Sequence, residues 1–205
     1  MRELLQPESR FIRFLSRLCD LLFLNLALDF LCLTIVFSGT AVTSAYALSL
    51  KMTRDEEGET VRSFLRGLRK NFTAATPATI LLFVDVLWLA VIAYALYADV
   101  LVLSPTFFLL LCVAAVLLTA LLSWLFPLLA RFENEFPQHL WNAARLAISH
   151  LPATVLLTAV NLLPFLSIVF FPNEIGYLAC FWLLIGVSAG AYLNSFILRK
   201  IFDAA

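Results

Sequence analysis

Four Asp and Asn side chains lie well inside long apolar stretches of the sequence, with Asp20 and Asn194 nearer the ends, and the four are the residues best placed to do chemistry: Asn25, Asp29, Asp85 and Asn161. An ionised Asp at the centre of a membrane-spanning helix costs about 2.5 to 3.5 kcal/mol on insertion scales, so it is expected to face protein or water. Asn25 and Asp29 are four residues apart and share one helix face. The favoured interpretation is that Asp29 and Asp85 are protonated or hydrogen-bonded packing groups, since no Lys or Arg lies within an apolar span to pair with them. The alternative is a candidate intramembrane polar site in which the two aspartates face each other and handle protons or cations.

Asn161 adds a second feature to this predicted site, because Pro164 follows it within the same apolar stretch. A proline inside a helix frees a backbone carbonyl and can kink the helix. Broken helices with polar side chains form the midplane sites of many transporters. A transporter-like site is one interpretation of this pattern, and the favoured one is that a membrane helix simply tolerates the proline.

The string Gly186-Val187-Ser188-Ala189-Gly190 matches the nucleophile-elbow pattern of hydrolases. An elbow requires a strand, a sharp turn and a helix, with a histidine able to reach the serine. Here the string lies in the middle of an apolar run, and both histidines, His139 and His150, precede a different run. We predict no enzymatic activity, no catalytic residue, no metal site and no cofactor.

Small residues at four-residue spacing indicate close packing between helices rather than a catalytic turn. Gly186 and Gly190 form a small-xxx-small face, and Ala41 and Ala45 repeat this spacing in an earlier segment. We expect all four to lie at helix–helix contacts.

The amino-acid composition indicates the environment in which these residues lie. Apolar residues make up 62% of the chain, compared with roughly 45 to 50% in ordinary globular proteins, so the lipid bilayer is an expected partner. The formal net charge is zero, which provides no basic field to attract nucleic acid. The prediction is an all-α, polytopic helical bundle that forms a single integral membrane domain over residues 1–205.

The number of spans follows from length and charge. Four apolar runs match the roughly 20 residues that one span needs, at about 77–98, 105–129, 151–171 and 177–198. The first apolar stretch is longer, and dividing it into 18–36 and 38–52 places every Lys and Arg on one side. Since cytoplasmic loops collect these cations, we predict six helices in the plasma membrane with both termini cytoplasmic. Segment 38–52 is short, and the alternative is a re-entrant half helix.

Each predicted hairpin is preceded by a segment with a mixed basic and apolar face, at residues 10–17, 61–72 and 137–149. This pattern predicts three short amphipathic helices at the cytoplasmic membrane surface. Pro77 and Pro152 fit first helical turns, where a missing amide hydrogen costs little.

A charged cytoplasmic loop is the most distinctive part of the sequence. Its residues that we predict to dock a partner are Arg54, Asp55, Glu56, Glu57, Arg62, Arg66 and Asn71. The run Lys51 to Gly58, followed by Arg62-Ser63-Phe64 and Asn71-Phe72, resembles the YesL-like family of bacterial membrane proteins. The sequence departs from that family at Thr34 and Phe37, where the family has a Pro and a Thr, and at Asp29, where an apolar residue is expected.

The resemblance implies a limited set of functions, because the YesL-like family has no known biochemical activity and its genes accompany carbohydrate-utilisation and sugar-import genes. It implies a non-enzymatic accessory protein whose partner is a sugar-import or sugar-processing protein. The alternative from the residues is a small transporter or substrate-binding subunit with a midplane polar site. The oligomeric state stays open.

Overall fold

The computed structural model describes residues 10–54, 60–97 and 104–203, and this part of the chain is helical without a strand. Eight helices are present in it: α1 Arg10–Cys32, α2 Ser38–Met52, α3 Thr60–Tyr97, α4 Pro105–Arg131, α5 Phe136–Ser149, α6 Leu151–Phe170, α7 Ile175–Phe181 and α8 Val187–Phe202. A π-helical turn, Trp182–Gly186, joins α7 to α8, and a 3-10 turn, Pro172–Glu174, precedes α7. The all-α prediction is confirmed.

Four helical stretches are long and apolar enough to cross a membrane: Thr60–Tyr97, Pro105–Arg131, Leu151–Phe170 and Pro172–Phe202. The chain is therefore a membrane protein by the length and composition of its helices. The predicted count of six spans is not confirmed. Helix α1 carries Arg17, Asp20 and Asp29 along its apolar length, and α2 has only 15 residues, about 22 Å at 1.5 Å per residue.

Helix α2 lies in the centre of the bundle. It packs against α1, α3, α4 and α8, and most of its side chains are buried. Its residues are mainly Gly, Ala, Ser and Thr, which allow neighbouring backbones to approach closely. A helix that is too short for the roughly 30 Å hydrocarbon layer is thus surrounded by protein.

Contacts between neighbouring helices give the bundle one cationic end, formed by the start of α1 and the ends of α2, α4 and α8. Arg17 Nη1 donates to the Met52 carbonyl at 2.8 Å. Arg54, Arg131 and Arg199 all pair with Asp203, which follows α8, and the Arg131 contact is 3.1 Å. The chain therefore alternates in direction, returning to this end after each hairpin.

Of the three predicted amphipathic segments, one forms a separate helix. Segments 10–17 and 61–72 are the first turns of the longer helices α1 and α3, so the prediction of short independent helices is wrong there. Helix α1 continues past residue 17 into the apolar run that follows, and α3 continues past residue 72 and through Pro77. The third segment is the separate helix α5, as predicted.

Of the two prolines that were predicted to lie in first helical turns, only one does. Pro152 lies in the first turn of α6, as predicted. Pro77 lies inside α3 instead, so its predicted place in a first turn is wrong. Pro77 leaves the Thr73 carbonyl without its usual helical donor, which α3 tolerates because the helix continues on both sides.

Candidate functional site

A cavity of about 590 Å³ lies among the helices, and we call it the central cavity. Residues from α1, α2, α3, α4, α6 and α8 line it, and most of them are apolar. Its polar lining residues are Tyr46, Asp85, Thr119 and Asn161. Ligand pockets are commonly about 300 to 1,000 Å³, with apolar walls and a few oriented polar groups. The central cavity has the size and lining of a small-molecule site.

Asp85 contributes the ionisable group of this cavity from α3. Its side chain is 4% exposed, and both carboxyl oxygens lie within 3.1 Å of Thr119 Oγ1 on α4. Thr119 Oγ1 is also 3.0 Å from the Ala115 carbonyl, so its single proton is shared among several acceptors. Asp85 therefore keeps hydrogen-bonding capacity for a ligand in the cavity.

Four helices meet at a second polar group on the cavity wall, which we call the amide node: Tyr46 from α2, Ser123 from α4, Asn161 from α6 and Asn194 from α8. Asn161 Nδ2 donates to Ser123 Oγ at 2.8 Å, and Asn161 Oδ1 accepts from Asn194 Nδ2 at 3.0 Å. The Tyr46 hydroxyl lies 3.4 Å from Asn161 Oδ1 and 3.2 Å from Asn194 Nδ2. This node fixes the position of Asn161 at the cavity.

Pro164 also lines the central cavity, one turn after Asn161, and α6 continues through it to Phe170. Ser167 Oγ donates to the Pro164 carbonyl at 2.7 Å. The proline therefore lies beside the polar wall without interrupting the helix.

Asn25 and Asp29 lie elsewhere, at the contact between α1 and the π-helical turn. Asn25 Nδ2 is 2.9 Å from the Leu183 carbonyl and 3.0 Å from Asp29 Oδ2, while Asn25 Oδ1 accepts from Ser188 N at 2.7 Å. The Asn25 side chain thus donates to the Leu183 carbonyl and accepts from the Ser188 amide hydrogen. These two backbone groups are five residues apart, which is the spacing of a π-turn. Of the four predicted polar residues, the structure brings Asp85 and Asn161 together in the cavity, and it places Asn25 and Asp29 in a helix contact.

The residues predicted to form the docking loop lie in different environments. Arg54 pairs with Asp203 within the chain, and Asn71 is buried. Arg62 and Arg66 are exposed on the first turns of α3. Asp55, Glu56 and Glu57 lie outside the described residues.

A smaller polar cavity of about 470 Å³ lies at the cationic end. Lys70 Nζ and Glu133 Oε1 are 2.6 Å apart across it, and the hydrogen bond from Lys70 lowers the pKa of the Glu133 carboxyl. His139 lines the same cavity with 1% of its surface exposed, and burial lowers its pKa. Its Nδ1 has no partner among the described residues. Burial therefore favours the neutral form of this imidazole.

The predicted packing residues have different neighbours. Ala41 and Ala45 are buried against α1 and α3 in a cluster with Leu24 and Phe64. A Cβ added at Gly190 would lie 3.5 Å from Val160, which is an ordinary contact, whereas one at Gly186 would meet the Trp182 ring of its own turn.

Three residues of the site were not identified from the sequence, namely Tyr46, Thr119 and Ser123, and Asn194 was noted only as a polar residue near the end of a span. Thr119 and Ser123 are four residues apart on one face of α4, and this spacing within an apolar run indicates a polar stripe that faces other helices. Tyr46 is surrounded by small residues, and its role depends on the helix that packs opposite it.

Comparison with known proteins gives one match. Residues 18–100, which include most of α1, all of α2 and the cavity-lining part of α3, match the family described as a protein of unknown function, DUF624. No curated protein and no solved structure matches the chain.

Proposed function

We propose that this chain is a non-enzymatic membrane protein that binds a small solute in the central cavity, as a transporter or as a membrane substrate-binding subunit. The observation that carries the proposal is the convergence of Asp85 and Asn161 on one cavity of about 590 Å³. An ionisable residue inside a membrane helix is costly and is commonly functional. A helix interface closed by packed Leu and Phe would have argued against this function.

The lining indicates the class of solute. The walls contain Leu, Val, Ala and Phe side chains, while Asp85, Thr119, Asn161 and Tyr46 offer hydrogen bonds on the α3, α4, α6 and α2 sides. A solute that fits this lining has an apolar body and one or two hydrogen-bonding groups. A fully hydroxylated sugar would leave most of its hydroxyls without partners at these walls.

The orientation in the proposal follows from the cationic end. Lys and Arg gather on the cytoplasmic side of membrane proteins, so we place the ends of α2, α4 and α8 in the cytoplasm with both termini. The membrane is then the plasma membrane of a bacterial cell, in keeping with the YesL-like resemblance. The central cavity lies between the two faces.

The test is to identify the small molecules that stay bound to purified protein after incubation with a metabolite extract, using mass spectrometry. Ala93 lines the cavity from α3, whereas Ala95 on the same helix does not. Wild type and Ala95→Phe should retain the same small molecule, while Ala93→Phe and Asp85→Leu should lose at least tenfold of it. Equal retention by all four proteins, or no retained molecule in wild type, would contradict the proposal.

A second candidate function is the accessory role, with a sugar-import or sugar-processing protein as partner. The observation that favours it is the exposed surface of the first turns of α3, which presents Arg66 and Arg69 beside Leu65, 58% exposed. An exposed apolar side chain between cations suits a protein contact. The retention experiment separates the two functions, because a purely accessory protein should retain no small molecule, whereas a solute-binding protein should retain the same one in wild type and in Arg66→Glu, which lies outside the cavity.

A further inference from the structure

Helix α5 has an outer face suited to a membrane surface. Trp141 and Ile148 are 64% and 74% exposed on it, and Arg145 lies between them at four- and three-residue spacing. The opposite face, with His139 and Ala143, is buried against the bundle. Helices with a cation between exposed apolar and Trp side chains lie in the plane of the lipid headgroups.

A groove of about 500 Å³ runs beside this helix, and we call it the interface groove. It lies between α5 and the last turns of α4 and α8, with Leu128, Leu146 and Ile201 among its apolar lining residues. Its polar lining residues within the described chain are Asn134, Asn142, Arg145 and Ser149. The groove therefore has an apolar floor and a polar side with a cation.

Arg145 is the charged residue of this groove, and within the described chain its guanidinium has no carboxylate partner. Three other arginines at the cationic end differ, because Arg54, Arg131 and Arg199 share the Asp203 carboxylate. A guanidinium binds a phosphate through two parallel hydrogen bonds. Among the described residues, the groove thus offers one positive charge without a carboxylate partner, beside an apolar surface.

We propose that the interface groove binds an anionic phospholipid, with its phosphate at Arg145 and one acyl chain along Leu128, Leu146 and Ile201. Charge complementarity selects an anionic headgroup over a zwitterionic one, because the lining offers a cation and no carboxylate among the described residues. The amides of Asn134 and Asn142 supply further hydrogen bonds to headgroup oxygens. Basic pockets between membrane helices on the cytoplasmic side bind acidic lipids in this manner. The site is separate from the central cavity and does not depend on its function.

The test measures the binding of dihexanoyl phosphatidylglycerol to the detergent-purified full chain by native mass spectrometry. Dihexanoyl phosphatidylcholine and inorganic phosphate serve as comparison probes. Wild type should bind the phosphatidylglycerol at least tenfold more tightly than either probe. Arg145→Ala should lose about tenfold in affinity, equivalent to about 1.4 kcal/mol, and Arg145→Lys, which keeps the charge but not the two parallel hydrogen bonds, should lose less affinity than Arg145→Ala.

Arg66→Ala is the matched control, because Arg66 is an exposed cation on α3 away from the groove. It should change the affinity less than twofold. Equal affinity of wild type and Arg145→Ala, or equal losses in Arg145→Ala and Arg66→Ala, would overturn the proposed site. Phosphate binding as tightly as the lipid would show an anion site without an acyl-chain groove.

Discussion

Replacing Asn25 by Leu is expected to lower the free energy of unfolding by about 3 kcal/mol or more, because it removes a side chain that satisfies buried backbone groups. Asn25 is fully buried and lies within 2.9 Å of the Trp182 and Leu183 carbonyls, and it accepts from Ser188 N. A buried donor or acceptor without a partner costs about 1 to 3 kcal/mol, and no water is at hand inside the membrane. Leu matches the size of Asn but offers no hydrogen bond.

The measurement is the midpoint of unfolding of the purified protein in mixed micelles with increasing sodium dodecyl sulfate. Asn173→Leu makes the same chemical change at an exposed position of the turn before α7 and should change the stability by less than about 0.5 kcal/mol. If Asn25→Leu unfolds at the same midpoint as Asn173→Leu, the bridge to the π-helical turn does not stabilise the fold.

The second large effect is expected at Gly39 on α2, which lies against the backbone of α3. A Cβ added there would lie 2.4 Å from Thr79 Oγ1, 2.8 Å from the Ala75 carbonyl and 2.9 Å from Thr79 N. Two of these atoms belong to the backbone of α3, so the helices must separate to accept even a methyl group. Gly39→Ala should lower the stability by about 2 kcal/mol, within the range for overpacked cores.

Gly190→Ala is the control, and its expected effect has the opposite sign. The nearest atom to its added Cβ would be 3.5 Å away, and Ala is favoured over Gly in a helix by about 0.5 to 1 kcal/mol. The same unfolding midpoint should therefore rise slightly for Gly190→Ala and fall for Gly39→Ala. A fall of equal size in both variants would contradict the close approach at Gly39.

The sequence predicted the fold class well because long apolar runs leave few options in lipid. The helices α3, α4 and α6 and the stretch ending in α8 were all visible as runs of about 20 apolar residues. The position of helix α2 was harder to predict from sequence. A short helix that is buried by its neighbours has a sequence similar to that of a short membrane span. The boundaries at 10–17 and 61–72 were wrong. No proline or glycine follows directly after residue 17, and Pro77, which was interpreted as the start of a new helix, lies inside α3.

The site was predictable only in part, for a physical reason. Asp85 and Asn161 stood out because polar groups in apolar runs must be satisfied by protein or water. Which residues satisfy them depends on the rotation of each helix about its axis, and the sequence does not contain that rotation. Asp29 was therefore assigned to the same site as Asp85, although its hydrogen bond joins it to Asn25 on α1.

The measurement that tests this account most directly is the accessibility of single cysteines to a membrane-impermeant maleimide in intact spheroplasts. The four native cysteines, Cys19, Cys32, Cys112 and Cys180, would first be replaced by serine. Val36→Cys and Glu174→Cys lie at the end of the bundle opposite the cations and should react in intact spheroplasts. Arg66→Cys lies at the start of α3 and should react only after lysis. Reaction of Arg66→Cys from outside, or protection of Val36→Cys until lysis, would contradict a bundle whose cations all lie on the cytoplasmic face.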